Sequence, residues 1–168
     1  PVSRENLITG IMDVVREYGL DGVNIDFETI KEAEAPAFLQ FLRELSVRTH
    51  KAGVILSTDN YVPTYTAYYN RTEQAKIVDY VVIMGYDEHT EYSNEPGSVA
   101  SLQFVKEGIE LTLQEVPAEQ VILGVPFYTR SWTVPFGSAY FETDAGANNY
   151  TYAGHLCGVQ GGAWCAMQ

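Results

Sequence analysis

The sequence predicts an α/β fold in which parallel strands alternate with helices, and three observations carry that expectation. Apolar residues recur at helical spacing in some segments and as short continuous or alternating runs in the segments between them. One stretch, Asp21-Gly22-Val23-Asn24-Ile25-Asp26-Phe27-Glu28, alternates so regularly that an extended backbone puts Val23, Ile25 and Phe27 on one face and Asn24, Asp26 and Glu28 on the other. A strand with an apolar face under helices and carboxylates near its carboxyl end suits an α/β enzyme, where chemistry gathers at that end. The third observation is compositional: 168 residues, 46% hydrophobic and 19% charged, fit one soluble globular domain with a core of its own.

The elements follow in order. Ser3 is read as the cap of a first helix, with Leu7, Ile8, Ile11, Met12, Val15 and Tyr18 at helical spacing and Gly19 as its stop. The acidic strand comes next. Pro36 suits the first turn of a second helix, which carries Phe38, Leu39, Phe41, Leu42 and Leu45 and ends near Gly53. Residues 54–58 read as a short apolar strand, and Asp59-Asn60-Tyr61-Val62-Pro63 as a polar, aromatic loop leaving it at the same end as Glu28. A short helix over about 71–78 leads to a buried strand, Tyr80-Val81-Val82-Ile83-Met84. A helix over about 98–115, with Leu102, Val105, Ile109 and Leu113 on one face, precedes a strand over 121–127.

Three stretches carry a family resemblance. The octapeptide resembles the signature Asp-Gly-x-Asp-x-Asp-x-Glu of family 18 glycoside hydrolases, the chitinase-like enzymes, with one departure: Asn24 stands where the triplet has its first acid. Met84-Gly85-Tyr86-Asp87 resembles the Met-x-Tyr-Asp element of that family's sixth strand. Gly124-Val125-Pro126-Phe127-Tyr128-Thr129-Arg130-Ser131-Trp132 is similar to its seventh. The resemblance implies a (β/α)8 barrel with the octapeptide on the fourth strand. A whole barrel needs roughly 250 residues, so the expectation is a partial TIM barrel holding strands four to seven and lacking the first three βα units. Residues 1–132 are assigned to it. Residues 133–168 contain no Lys or Arg and show no period, and are read as an insertion or tail.

The resemblance further implies the chemistry. Most glycosidases use two carboxylates, but family 18 enzymes are substrate-assisted: the sugar's own 2-acetamido oxygen attacks the anomeric carbon with retention. Glu28 is then the acid, kept protonated by the charge of Asp26. Asp26 orients the acetamido N–H, and the Tyr86 hydroxyl donates to the acetamido oxygen. Asn24, Asn60, Asp87, Tyr128 and Trp132 are the substrate-binding candidates, with helix cap or turn as the bland reading of Asp87. For His89 the bland reading is a solvated loop group beside Glu88, and for Arg130 a structural ion pair. The text around Ser57 to Pro63 and Gly85 to His89 looks most like the bacterial branch of spore-cortex and cell-wall lytic enzymes. The implied substrate is the β-1,4 bond following N-acetylglucosamine in peptidoglycan or chitin-like glycans, the implied location the cell wall or spore, and no cofactor is implied.

Composition adds exclusions. A net charge of −12 opposes nucleic acid as a partner, because phosphate binding needs clustered Lys and Arg. No apolar run is long enough to span a bilayer. Cys157 and Cys165 are placed to pair if the chain is exported, and no Cys or His spacing resembles a zinc site. Two readings from other classes stay open: a non-catalytic carbohydrate-binding relative, and a metal-dependent barrel enzyme using Asp26, Glu28, Asp87 and His89.

Overall fold

A computed structural model describes residues 2–130 of the chain. Four strands form one sheet in sequence order, β1 (Gly22–Ile25), β2 (Ile55–Tyr61), β3 (Tyr80–Met84) and β4 (Val121–Gly124), with α1 (Val2–Tyr18), α2 (Ala35–Ala52), α3 (Arg71–Ala75) and α4 (Leu102–Thr112) before and between them. The β1–β2 and β2–β3 pairs are parallel. Sequential parallel pairing with helical crossovers is the repeat from which (β/α)8 barrels are built.

By compactness the chain divides into Pro1–Met84 with Gly108–Leu123, and Gly85–Glu107 with Gly124–Gln168. In the first unit α2 presents Phe38, Phe41, Leu42 and Leu45 to the sheet. Leu42, Leu45, Leu56, Val81 and Ile83 are fully buried, each worth about 1.5–3 kcal/mol of transfer free energy. The helix stops at Gly53, whose φ of 69° is left-handed, and its N–H caps His50 O while Val54 N bonds Thr49 O at 2.9 Å. Only glycine takes that conformation without a Cβ penalty, so this residue turns the chain straight into β2.

β2 departs from expectation in a way that matters for the site. Residues 59–61, read from sequence as loop, continue the strand to Tyr61. Leu56, Thr58 and Asn60 are buried, while Ser57, Asp59 and Tyr61 are half-buried on the opposite face. Register sets Asn24 beside Ser57 and Ile25 beside Thr58, and Asp59 beside Val82 on β3. The remaining differences lie at element ends. α1 begins at Val2, so Ser3 sits inside the helix; β1 ends at Ile25, α4 spans Leu102–Thr112, and β4 ends at Gly124.

Second-unit structure centres on the segment after β3. Glu88 accepts from Ser101 N at 2.6 Å and Ser101 Oγ at 2.9 Å, and Ser101 Oγ in turn accepts from Phe104 N in the first turn of α4. His89 Nδ1 lies 3.0 Å from Ser98 O. These two side chains therefore tie the loop together, and His89 is not the solvated loop group of its bland reading. Trp132 and residues 133–168, both cysteines among them, lie outside the described residues.

Candidate active site

In the first unit, alternation along two adjacent parallel strands produces one polar face. Asn24, Asp26 and Glu28 are exposed on it, and Ser57, Asp59 and Tyr61 line it from β2. Asn24 Nδ2 donates to Ser57 Oγ at 2.9 Å and to Asp59 Oδ1 at 2.7 Å. The Tyr61 hydroxyl donates to Glu28 Oε2 at 2.9 Å. The Asp59 carboxyl is held above the ordinary carboxylate range, chiefly by burial, with the Asn24 hydrogen bond opposing and the charges of Asp26 and Glu28 adding to the rise.

The backbone around Glu28 is fixed from several sides. Phe27 stacks on Phe41 with centroids 5.4 Å apart and contacts Phe38 at 5.9 Å, which anchors the strand end to α2. Thr29, directly after Glu28, has φ 56°. A β-branched residue is rarely found in that region, and such outliers cluster at functional sites. Tyr68 OH donates to Ile30 O at 2.7 Å. The end of β2 is held by Arg71, whose side chain is wholly buried and donates to Tyr61 O at 3.1 Å while pairing with Glu115 at 3.4 Å.

Asn60 does not belong to this face. It is fully buried on the helix side and donates to Gln74 Oε1 at 2.6 Å, because strand alternation sends it opposite to Asp59 and Tyr61. The expectation that it contacts substrate is corrected accordingly. Ser57 and Tyr61 were not among the candidates. Extending the alternation of β2 by two residues would have found them, since they share parity with Asp59.

In the second unit Tyr86 packs edge-to-face against Tyr128, with centroids 6.1 Å apart and planes at 74°. Asp87, at φ 60°, accepts from Tyr128 OH at 2.5 Å and from Arg130 Nη1 at 2.8 Å. Arg130 also donates to His89 O at 3.2 Å, reaches Glu91 at 3.4 Å and lies 5.4 Å from the Tyr128 ring centroid. Burial, and then the Asp87 carboxylate, push the Tyr128 phenol up. Asp87 is thus the hub of this cluster. Among the described residues no group of three His, Cys, Asp or Glu side chains is placed to hold a metal ion.

The profile of glycosyl hydrolases family 18 matches residues 1–155. The chain belongs to family 18. YdhD of Bacillus subtilis is 35% identical over 142 residues, covering 81% of this chain and 33% of that protein. Its crystal structure superposes with a TM-score of 0.75 over 83% of this chain and 48% of the other. The cortical fragment-lytic enzyme of B. subtilis is 31% identical over 140 residues, 79% of this chain and 32% of its own length. The Group IV chitinase of Ostrinia furnacalis is 25% identical, with a TM-score of 0.72 over 80% of this chain and 42% of that one. The chain is therefore a member of family 18, similar to chitinases and cortical fragment-lytic enzymes, with the partial barrel fold of that family, and it spans about a third of the length of these curated relatives.

Proposed function

We propose that this protein is a glycosidase that cleaves the β-1,4 bond following N-acetylglucosamine by a substrate-assisted retaining mechanism, with peptidoglycan of the cell wall or spore as its polymer. The observation that carries the reading is the face of β1: Asp26 and Glu28 stand exposed at the strand's carboxyl end, with the Tyr61 hydroxyl on Glu28 Oε2 at 2.9 Å. That hydrogen bond fixes one carboxyl oxygen and leaves the other to carry the transferable proton.

Glu28 gives its proton to the glycosidic oxygen as the C1–O bond breaks. The acetamido oxygen of the same sugar bonds to C1, and the positive charge spreads over the resulting oxazolinium ring. Asp26 accepts from the acetamido N–H and offsets that charge, and Tyr86 donates to the acetamido oxygen. Water then attacks C1 and gives its proton to the Glu28 carboxylate, which regenerates the acetamido group with retained configuration. Asn24, Asp87, Tyr128 and Trp132 bind the glycan. The cortical fragment-lytic relative supports peptidoglycan, and the chitinase relative makes chitin oligomers a practical assay substrate.

The test is Glu28→Gln in the whole protein. It keeps shape and hydrogen bonding but removes the proton, so turnover of N-acetylglucosamine oligomers should fall roughly 10²–10⁴-fold while their binding survives. Glucans with a plain hydroxyl in place of the acetamido group should be inert, because the internal nucleophile is gone. Near-parental turnover by Glu28→Gln, or equal cleavage of unacetylated glucans, would overturn the assignment.

A further inference from the structure

The polar face of the first unit contains a third carboxylate that the signature does not account for. On β1 the position of the signature's second Asp is occupied by Asn24, a neutral group. Its carboxamide is turned toward β2, where it donates to Asp59 Oδ1 at 2.7 Å and to Ser57 Oγ at 2.9 Å. Asp59 shares the face of Asp26 and Glu28 because β1 and β2 run in parallel with Asn24 opposite Ser57. Two residues further along, one past the last pair Ile25–Thr58, the same register would bring position 26 level with 59. We infer that Asp59 is a positioning residue for the proposed reaction: from the neighbouring strand it restores the third acid of the face, fixes the Asn24 carboxamide, and sets the charge felt by Asp26 and Glu28.

The surroundings agree with that role. The charges acting on Asp59 are those of Asp26 and Glu28, its neutral donor is Asn24, and its register partner on β3 is Val82. Its carboxyl is half-buried, and burial lifts it above the usual range, with the charges of Asp26 and Glu28 adding to the rise. Repulsion is mutual, so the negative charge that Asp59 feels from Asp26 and Glu28 acts back on the face that carries them. An acid that must hold its proton until the glycosidic oxygen takes it benefits from such a neighbour. Asp59 itself needs no contact with the sugar.

This inference rests on the proposed glycosidase reading, and two measurements separate the fates of the two. The first uses the chain without substrate: carbon-detected NMR titration of the Asp59 carboxyl in the parent, in Asp26→Asn and in Glu28→Gln. We expect the Asp59 midpoint to drop in both variants, and a midpoint unmoved in both overturns the coupling. The second is the pH–rate profile of the whole protein on N-acetylglucosamine oligomers. Asp59→Asn should move the alkaline limb, where the acid must still hold its proton, to lower pH by several tenths of a unit or more. The exchange Asn24→Asp with Asp59→Asn should bring that limb back, since the carboxylate has only changed strands. Loss of turnover with an unmoved limb and no recovery in the exchange variant would make Asp59 a mere structural partner of Asn24 and overturn the proposal. A parent inert on acetylated oligomers at every pH would overturn the glycosidase reading instead, and the Asp59 titration would still decide the coupling.

Discussion

Asp59 sits where a negative charge is expensive, being half-buried beside two other carboxylates, and that cost is measurable as stability. Its folded-state pKa is raised, so between the unfolded value near 3.9 and the raised folded value the native state binds the extra proton. Stability from this group is therefore present below that window and lost as pH rises through it. Asp59→Asn removes the penalty. The variant should melt above the parent at pH 7, with the difference shrinking as pH falls through that window and levelling off below about 4, where both residues are neutral; calorimetry across pH checks this. A lower Tm at neutral pH would mean that the Asn24 hydrogen bond outweighs the burial and repulsion. Thr29 tells a similar story in backbone terms, since its φ of 56° directly follows Glu28. Local rules are broken next to the groups proposed to carry the chemistry, where strain is held by the surrounding packing.

At the scale of elements, α4 meets Val62, the residue that follows β2, through a single missing methyl group. A Cβ on Gly108 would come within 2.6 Å of Val62 Cγ1, and Val62 is 1% exposed. Alanine would gain about 0.5–1 kcal/mol of helix propensity, but overpacking a filled core costs typically 1–3 kcal/mol. Gly108→Ala should therefore lower stability in denaturant titration, and Gly108→Ala with Val62→Ala should lose less than the sum of the two single changes. Gly108 was not singled out in the sequence because a lone glycine in a helical run states no partner. The same limit explains what else was missed. β3 was legible to the residue, since five consecutive apolar or aromatic residues admit little else, and α2 was legible because Pro36 and Gly53 bracket its apolar face. The end of β2 was not, because Asp59-Asn60-Tyr61 has a turn composition that pairing with Val82, Ile83 and Met84 overrides. That single error placed Asn60 at the substrate and left Ser57 and Tyr61 unnoticed.

For the molecule as a whole, β1 is the outer strand of the sheet among the described residues. Between it and α1 lies an apolar groove of about 590 Å³ lined by Leu7, Gly10, Ile11, Val14, Leu20 and Val23. Leu7, Val14 and Leu20 are 42%, 48% and 43% exposed, and an open parallel edge flanked by such a surface pairs readily with another chain. The 168-residue chain made alone should self-associate at micromolar concentration. Its charge of −12 opposes this, so association should grow with added salt and weaken in Val14→Lys, as sedimentation velocity would reveal. A monomer under all these conditions would show that the edge is protected. The polar face described for the first unit has a different consequence at this scale. Asn24, Asp26, Glu28, Ser57, Asp59 and Tyr61 all come from one βαβ unit, residues 22–61, and the hydrogen bonds among them stay inside it. Recombination between relatives with seams outside that span would pass the acidic machinery on as an inherited block, with its strand-to-strand compensation intact. A crossover inside α2 would separate Asn24 from Asp59, and with a relative that has Asp at 24 and a neutral residue at 59 the offspring would carry either two carboxylates on this face or four.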